Sequence, residues 1–346
     1  MNSTDVAGID QANVTAWFLE HAPAVAPPLT FTLIAGGHSN LTYRVDDTAD
    51  RSWVLRRPPL GQVLATAHDM GREHRIISAL AATDIPVAPT IGLCTDDAVN
   101  GAPFYVMDFV DGRVIRDAAG AESLSAEERR RASESLIDVL ARIHSVDVDD
   151  VGLGDLGRRD GYIERQLKRW YGQFLKSKTR EVPLIDEVHR RLADSIPPEG
   201  PPAIVHGDYR LDNCMLGDDG SVAAVLDWEL CTLGDPLADL GLLWVYWGSV
   251  DEPPPTLAPA PTTLEGFSTR DELSQRYAEA SGRDISHLQF YVAFGYWKLA
   301  CIIDGVYARY VGGSMGTTGD AAAFQGFADT VDHLAVAADD AVGKLR

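Results

Sequence analysis

Cysteine is scarce in this chain of 346 residues: Cys94, Cys214, Cys231 and Cys301 stand far apart, and no pair has metal-ligand or redox spacing. A zinc site or a disulfide framework is therefore not what organises the fold. Positive charge is also short. The 30 Lys and Arg face 51 Asp and Glu, a net charge of −21, which weighs against nucleic acid and anionic membrane as partners. That charge has two readings, a solvated acidic surface or an acidic cleft for a cationic substrate. Long hydrophobic runs are missing, since Leu240–Trp247 is too short to span a bilayer. No basic stretch followed by an apolar one marks a secretory signal, so cytoplasmic residence is the expectation. There is no internal repeat or low-complexity tract. With 45% hydrophobic and 23% charged residues, the chain reads as a soluble globular enzyme with one large or two modest domains.

The first third alternates. Asp10 can cap a helix carrying Val14, Trp17 and Phe18, with Ile9 placed to staple onto Val14. Strand-like runs follow at Phe31–Ala35, Leu41–Val45 and Trp53–Arg56, then a helix over Asp69–Ala81 and strands at Thr90–Cys94 and Phe104–Phe109. Val110-Asp111-Gly112 reads as a hinge. Beyond it the pattern turns helical. Ser125 and Glu128 form a capping box for a helix presenting Ala132, Leu136, Val139, Leu140 and Ile143. Further helices are predicted over about 162–175, 236–247, 270–281, 286–308 and 320–340, with Asp235 as the N-cap of the second of these. Pro253-Pro254-Pro255, Pro259 and Pro261 mark a surface loop.

The chemistry concentrates in His206-Gly207-Asp208-Tyr209-Arg210-Leu211-Asp212-Asn213, on a loop after the strand Ala203-Ile204-Val205, and in Asp227 at the end of Val222–Leu226. Phosphoryl transfer needs a group that orients or deprotonates an acceptor hydroxyl, plus oxygen ligands for magnesium. Asp208 can serve as the first. Asn213 and Asp227 offer hard oxygens for Mg²⁺. Alone, each also fits an ordinary role: a loop aspartate, an Asx-turn and a strand end. His206 reads as a structural hydrogen-bonding residue, and Asp212 has no assigned role. The turn Gly36-Gly37-His38-Ser39-Asn40 lacks a full G-x-G-x-x-G, so it is a plain hairpin turn or a phosphate cradle. In the cradle, Gly36 and Gly37 let backbone N–H groups approach and Ser39 adds a hydroxyl.

The HGDxxxxN stretch resembles the signature of the aminoglycoside phosphotransferase-like (choline kinase-type) family. The resemblance runs from the Gly36 turn through Gly234-Asp235-Pro236-Leu237-Ala238-Asp239. Val54–Gly61, with His68-Asp69-Met70 and Arg72-Glu73, is similar to the sub-branch whose kinase domain is fused to acyl-CoA dehydrogenases. The resemblance implies an α+β, two-lobed protein-kinase-like fold. Residues 1–110 would form an N-lobe with a small mixed β-sheet and an N-terminal helix, and residues 111–346 a mainly helical C-lobe. It implies ATP and Mg²⁺, Asp208 as the catalytic residue, and Asn213 and Asp227 as metal ligands. It places Arg56 where protein kinases carry a phosphate-binding lysine, with Glu73 as its ion-pair partner, and Met107, Asp108 and Phe109 beside adenine. Arg57 points to the opposite strand face as the structural alternative. Trp228-Glu229 replaces the Phe-Gly of a DFG. Asp239 would brace the catalytic loop.

The implied function is transfer of the γ-phosphate of ATP to a hydroxyl of a small molecule. Segment 158–180 holds eight Lys or Arg (Arg158, Arg159, Arg165, Lys168, Arg169, Lys176, Lys178, Arg180) against Asp160 and Glu164, a net of +6. It is either a solvated basic face or a holder for an anionic handle such as a coenzyme-A phosphate. A hydroxyacyl-CoA-type acceptor is therefore one fit. Rival readings are an aminoglycoside or other amino-sugar kinase, and a nucleotide-binding module without turnover.

Overall fold

The computed structural model describes residues 6–35, 40–61, 69–249, 252–257, 259–312 and 321–345. The chain divides into two compact units, Met1–Asp111 with Ala223–Glu229, and Gly112–Val222 with Leu230–Arg346. The segment carrying Asp227 thus belongs with the first unit.

In the first unit, α1 (Gln11–His21) starts at Asp10, whose carboxylate accepts the Asn13 N–H at 3.0 Å. The strands are β1 (Thr30–Ala35), β2 (Leu41–Asp46) and β3 (Ser52–Arg57), followed by α2 (Met70–Leu80), β4 (Thr90–Cys94), a short α3 (Asp97–Asn100) and β5 (Phe104–Asp108). They form one five-stranded sheet in the order β1-β2-β3-β5-β4. The sheet expected to be mixed is antiparallel in every pairing, because hairpins join β1 to β2 and β2 to β3, and β5 returns between β3 and β4. Ile9, Val14, Trp17 and Phe18 of the α1 region join Tyr43, Val45, Trp53, Leu55 and Phe104 in one core. Trp17 meets Phe104 edge-on at 5.2 Å, and Phe18 meets Trp53 at 5.6 Å. Each such side chain contributes about 1.5–3 kcal/mol on full burial, so α1 is part of the core of this unit. Val225 N–H donates to Pro86 O at 2.8 Å and fixes the 223–229 segment to the same unit.

The second unit begins with β6 (Arg113–Val114), α4 (Ala118–Glu122) and α5 (Ala126–Ile143), the last opened by the Ser125/Glu128 capping box. Next come α6 (Tyr162–Ser177), α7 (Pro183–Asp194), β7 (Ala203–Val205) and β8 (Cys214–Leu216). After β9 (Val222–Val225), the chain continues through β10 (Thr232–Gly234), α8 (Leu237–Tyr246), α9 (Arg270–Ser281), α10 (Leu288–Val311) and α11 (Ala321–Gly343). β7 pairs antiparallel with β10, Ile204 opposite Leu233, and this two-stranded ladder holds the start of the HGD loop. α10 packs along α11, α8 and α6. Its crossing with α8 is a glycine contact. A Cβ on Gly241 would lie 2.5 Å from the Tyr291 carbonyl carbon, and one on Gly295 would lie 3.1 Å from Gly241 O. α7 has no counterpart among the expected helices, because its apolar stripe is only Ile185, Val188 and Leu192 in a charged stretch. The N-cap of α8 is Pro236 rather than Asp235. Asp235 still accepts the Leu237 N–H at 3.1 Å and receives the Tyr291 hydroxyl at 2.5 Å. Among the described residues, no helix is long and apolar enough to cross a membrane.

Candidate active site

The first unit builds an arginine–carboxylate cluster. β3 carries Arg56, whose side chain is 12% exposed. Its Nη2 donates to Asp227 Oδ1 at 2.6 Å and lies 3.8 Å from Glu229 Oε2, while its Nε lies 3.3 Å from Glu73 Oε1 on α2. Glu73 is therefore the ion-pair partner of Arg56, and Asp227 is a second and tighter one. Arg56 Nε, both Glu73 oxygens and the Tyr105 hydroxyl are buried without an aligned hydrogen bond. Burial, with the charges of Asp227 and Glu229 and against that of Arg56, pushes the Glu73 carboxyl up to about 7. Burial also raises the Tyr105 hydroxyl, and the carboxylates hold the Arg56 proton more firmly still. Asp227 sits in the left-handed region at φ 63°, and the following Trp228 is buried, donating Nε1–H to Val225 O at 3.1 Å. Asp is among the few side chains that tolerate that conformation.

Arg57 faces away, donating to the carbonyls of Gly8 and Asn100. Met107 pairs with Val54 and Thr90 inside the sheet. The Asp108 and Phe109 amides donate to Pro89 O at 2.8 Å and Ser52 O at 3.4 Å, so neither N–H is unpaired. Arg44 covers the Phe109 ring at 4.5 Å. Gly36, Gly37 and Ser39 lie outside the described residues.

The second unit holds the HGD loop. Asp239 on α8 accepts two backbone donors, the His206 N–H at 2.6 Å and the Gly207 N–H at 2.8 Å. Burial alone would raise its carboxyl, but contact with His144 and these loop donors keeps it below the usual range. His144 is likewise buried and lies below its own ordinary value. Gly207 has φ +87°, and a Cβ there would come 3.0 Å from the Leu230 side chain. His206 is fully buried and accepts the Asp208 N–H at 3.3 Å, a structural role.

Asp208 is half-buried. Its Oδ2 accepts Asn213 Nδ2–H at 2.9 Å, and the same amide nitrogen also donates to Asp208 O at 2.8 Å. The Asn213 amide hydrogens are thus directed at Asp208, and its Oδ1 remains as an acceptor. Two residues escaped the sequence reading. Arg210 lies with Nε 3.4 Å from Asp208 Oδ2 and Nη1 2.9 Å from Asp212, its guanidinium 4.7 Å from the Tyr246 ring. Lys298 on α10 donates from Nζ to Gly207 O at 2.9 Å. A cavity of about 60 Å³ adjoins this loop, lined by Arg116, Arg210, Asp212, Tyr246 and Trp247 and by Pro255, Pro259 and Pro261 of the proline-rich loop. Half of the basic segment's cations are engaged within the second unit. Arg159 pairs with Asp149, Lys178 with Glu181 and Arg180 with Asp332, while Arg165 donates to the carbonyls of Asp160 and Arg158.

A hairpin sheet presenting a buried arginine to acidic partners, and a helical unit presenting an Asp–Asn loop braced by a buried Asp, are the parts of a protein-kinase-like fold. The profile of the Phosphotransferase enzyme family matches residues 30–281, and the chain belongs to that family. It is 35% identical over 290 residues to mouse acyl-CoA dehydrogenase family member 10, covering 83% of this chain and 27% of the relative. It is 36% identical over 304 residues to chicken acyl-CoA dehydrogenase family member 11, covering 84% of this chain and 38% of that relative. The chain thus spans well under half the length of these relatives. A solved structure from Ralstonia eutropha, assigned as an aminoglycoside phosphotransferase, is similar at TM-score 0.81 and 33% identity over 96% of this chain and 98% of that one. The α+β, protein-kinase-like fold follows from that similarity.

Proposed function

We propose that the chain transfers the γ-phosphoryl group of ATP to a hydroxyl of a small molecule, with a hydroxyl-bearing acyl-CoA as the preferred acceptor. The observation that carries the reading is the state of Asp208. It is a half-buried carboxylate held by Asn213 and Arg210 on a loop whose backbone is fixed from α8. Such a carboxylate can hold an acceptor hydroxyl in line and take up its proton as the oxygen bonds to phosphorus and ADP leaves with the electron pair of the broken P–O bond. Positioning supplies most of the rate in this chemistry.

The candidate ligands, taken one by one, suit Mg²⁺ by their chemistry. Asn213 Oδ1 and the Asp227 carboxylate are hard oxygens. The cluster of Glu73, Asp227 and Glu229 also carries more negative charge than Arg56 balances. When bound, the ion would neutralise phosphate charge. Arg56, permanently charged and forked, is suited to phosphate oxygens as well as to Asp227. The acyl-CoA preference rests on the relatives, which are named as acyl-CoA dehydrogenases. The Ralstonia structure favours a second reading, an aminoglycoside acceptor. An ADP-release assay with a panel of hydroxyacyl-CoA species and aminoglycosides separates them, and turnover with the former alone is the expected result. Turnover only with aminoglycosides reverses the acceptor. ATP binding without transfer to any acceptor overturns the enzymatic reading.

A further inference from the structure

Lys298 sits in the middle of α10 between the buried Trp297 and Leu299, and is itself only 6% exposed. A buried ammonium is costly unless it is paired and hydrogen-bonded. In this helix a methionine would fill the space without that cost, so the charge needs a reason. Its hydrogen bond goes to the carbonyl of Gly207, and the ammonium lies 5.6 Å from the centre of the Trp170 ring. Burial pushes the Lys298 ammonium below the ordinary lysine value, with Asp208 and Asp239 favouring the charged form and Arg169 opposing it.

Gly207 is thereby held from both sides. An anion, Asp239, takes its N–H at 2.8 Å, and a cation, Lys298, takes its C=O at 2.9 Å. That C=O belongs to the peptide that leads into Asp208, and the N–H of the same peptide is tied to His206. Every backbone polar group between Gly207 and the Asp208 Cα is therefore fixed by a side chain. Gly207 also adopts a positive φ, where a glycine otherwise moves freely. Of these three side chains, His206 was legible as a structural hydrogen-bonding residue and Asp239 as a brace through the family resemblance, while Lys298 was not.

We propose that Lys298 is a positioning residue for phosphoryl transfer: by pinning the Gly207–Asp208 peptide from α10, it sets the direction in which the Asp208 carboxylate points. The inference rests on the reading of Asp208 given above. Its charge also acts through space on Asp208, which a neutral donor at the same place cannot reproduce.

The test compares the full-length parent with Lys298→Met, Lys298→Arg and Lys298→Gln. Three quantities are followed: ADP release from Mg²⁺–ATP with the best acceptor of the panel, binding of a fluorescent ATP analogue, and amide hydrogen exchange over 203–214. Misplacing a catalytic group by about 1 Å costs up to about a hundredfold. Lys298→Met is therefore expected to lose about tenfold to a hundredfold in kcat, with nucleotide affinity within about twofold of the parent. Exchange at 206–209 should accelerate while the rest of the second unit keeps its protection. Lys298→Arg should recover part of the kcat. A folded Lys298→Met with parental kcat overturns the proposal, and so does a kcat loss without faster exchange at 206–209. If Lys298→Met does not fold, Lys298→Gln carries the same two criteria. If the parent releases no ADP with any acceptor, the phosphotransferase reading fails on its own, and unchanged exchange at 206–209 would then overturn the pinning of the loop separately.

Discussion

Arg56 faces more carboxylates than one positive charge can balance. The consequence falls on Glu73, the most buried of them, whose carboxyl is raised to about 7 chiefly by burial. The native state then binds this proton more tightly than the unfolded chain does. Glu73 thus adds stability that is fully present below the ordinary carboxylate range and is lost as pH rises through about 7. The expected size is on the order of 3 kcal/mol. Urea unfolding of the parent and Glu73→Gln from about pH 5 to 8 checks this. The parent should lose stability relative to the variant across that window, and parallel curves would contradict it. At this scale the sequence was informative where chemistry is written in local spacing: Asp208 and Asn213 share one loop. It was silent about Arg210 and Lys298. Stacking on Tyr246 and the reach from α10 to Gly207 are tertiary facts, and neither side chain differs in type from a surface cation.

Helix ends and helix crossings show the same division. The capping box read at Ser125/Glu128 forms, and the structure adds another at Thr269/Glu272 that went unread, each a contact between residues three apart. α7 went unread for want of a broader apolar stripe, although Pro183 stands at its first turn. The α8–α10 crossing depends on Gly241 and Gly295, which look like ordinary helix-weakening glycines until the helices are packed. Gly241→Val would drive its Cβ to 2.5 Å from the Tyr291 carbonyl carbon. Overpacking of this kind costs about 1–3 kcal/mol or more, so the denaturation midpoint should fall markedly. Gly172→Ala, where a Cβ meets nothing within 4 Å, should leave it unchanged or raised. Equal midpoints for the two variants would remove the close approach from the account.

Over the whole molecule, the candidate residues are distributed over both units. The first holds the nucleotide-facing candidates Arg56 and Glu73 together with Asp227, and the second holds Asp208 and Asn213. The strand and helix runs of the first third and the helical pattern beyond the hinge were legible from hydrophobic periodicity, and the α+β, kinase-like class from the family resemblance. The return of Ala223–Glu229 to the first unit was not, since it depends on a long-range bond between Val225 and Pro86. The basic segment shows why composition alone is a poor guide to a ligand, since Arg159, Lys178 and Arg180 pair with Asp149, Glu181 and Asp332 within the second unit and reduce its local net charge of +6. The central claim is that Asp208 orients the acceptor for phosphoryl transfer. The most direct measurement is ADP release by Asp208→Ala beside its affinity for an ATP analogue. Transfer should fall by at least about a thousandfold, as expected when a group acting in the transition state is removed, with nucleotide affinity nearly unchanged. Parental turnover in that variant would contradict the account.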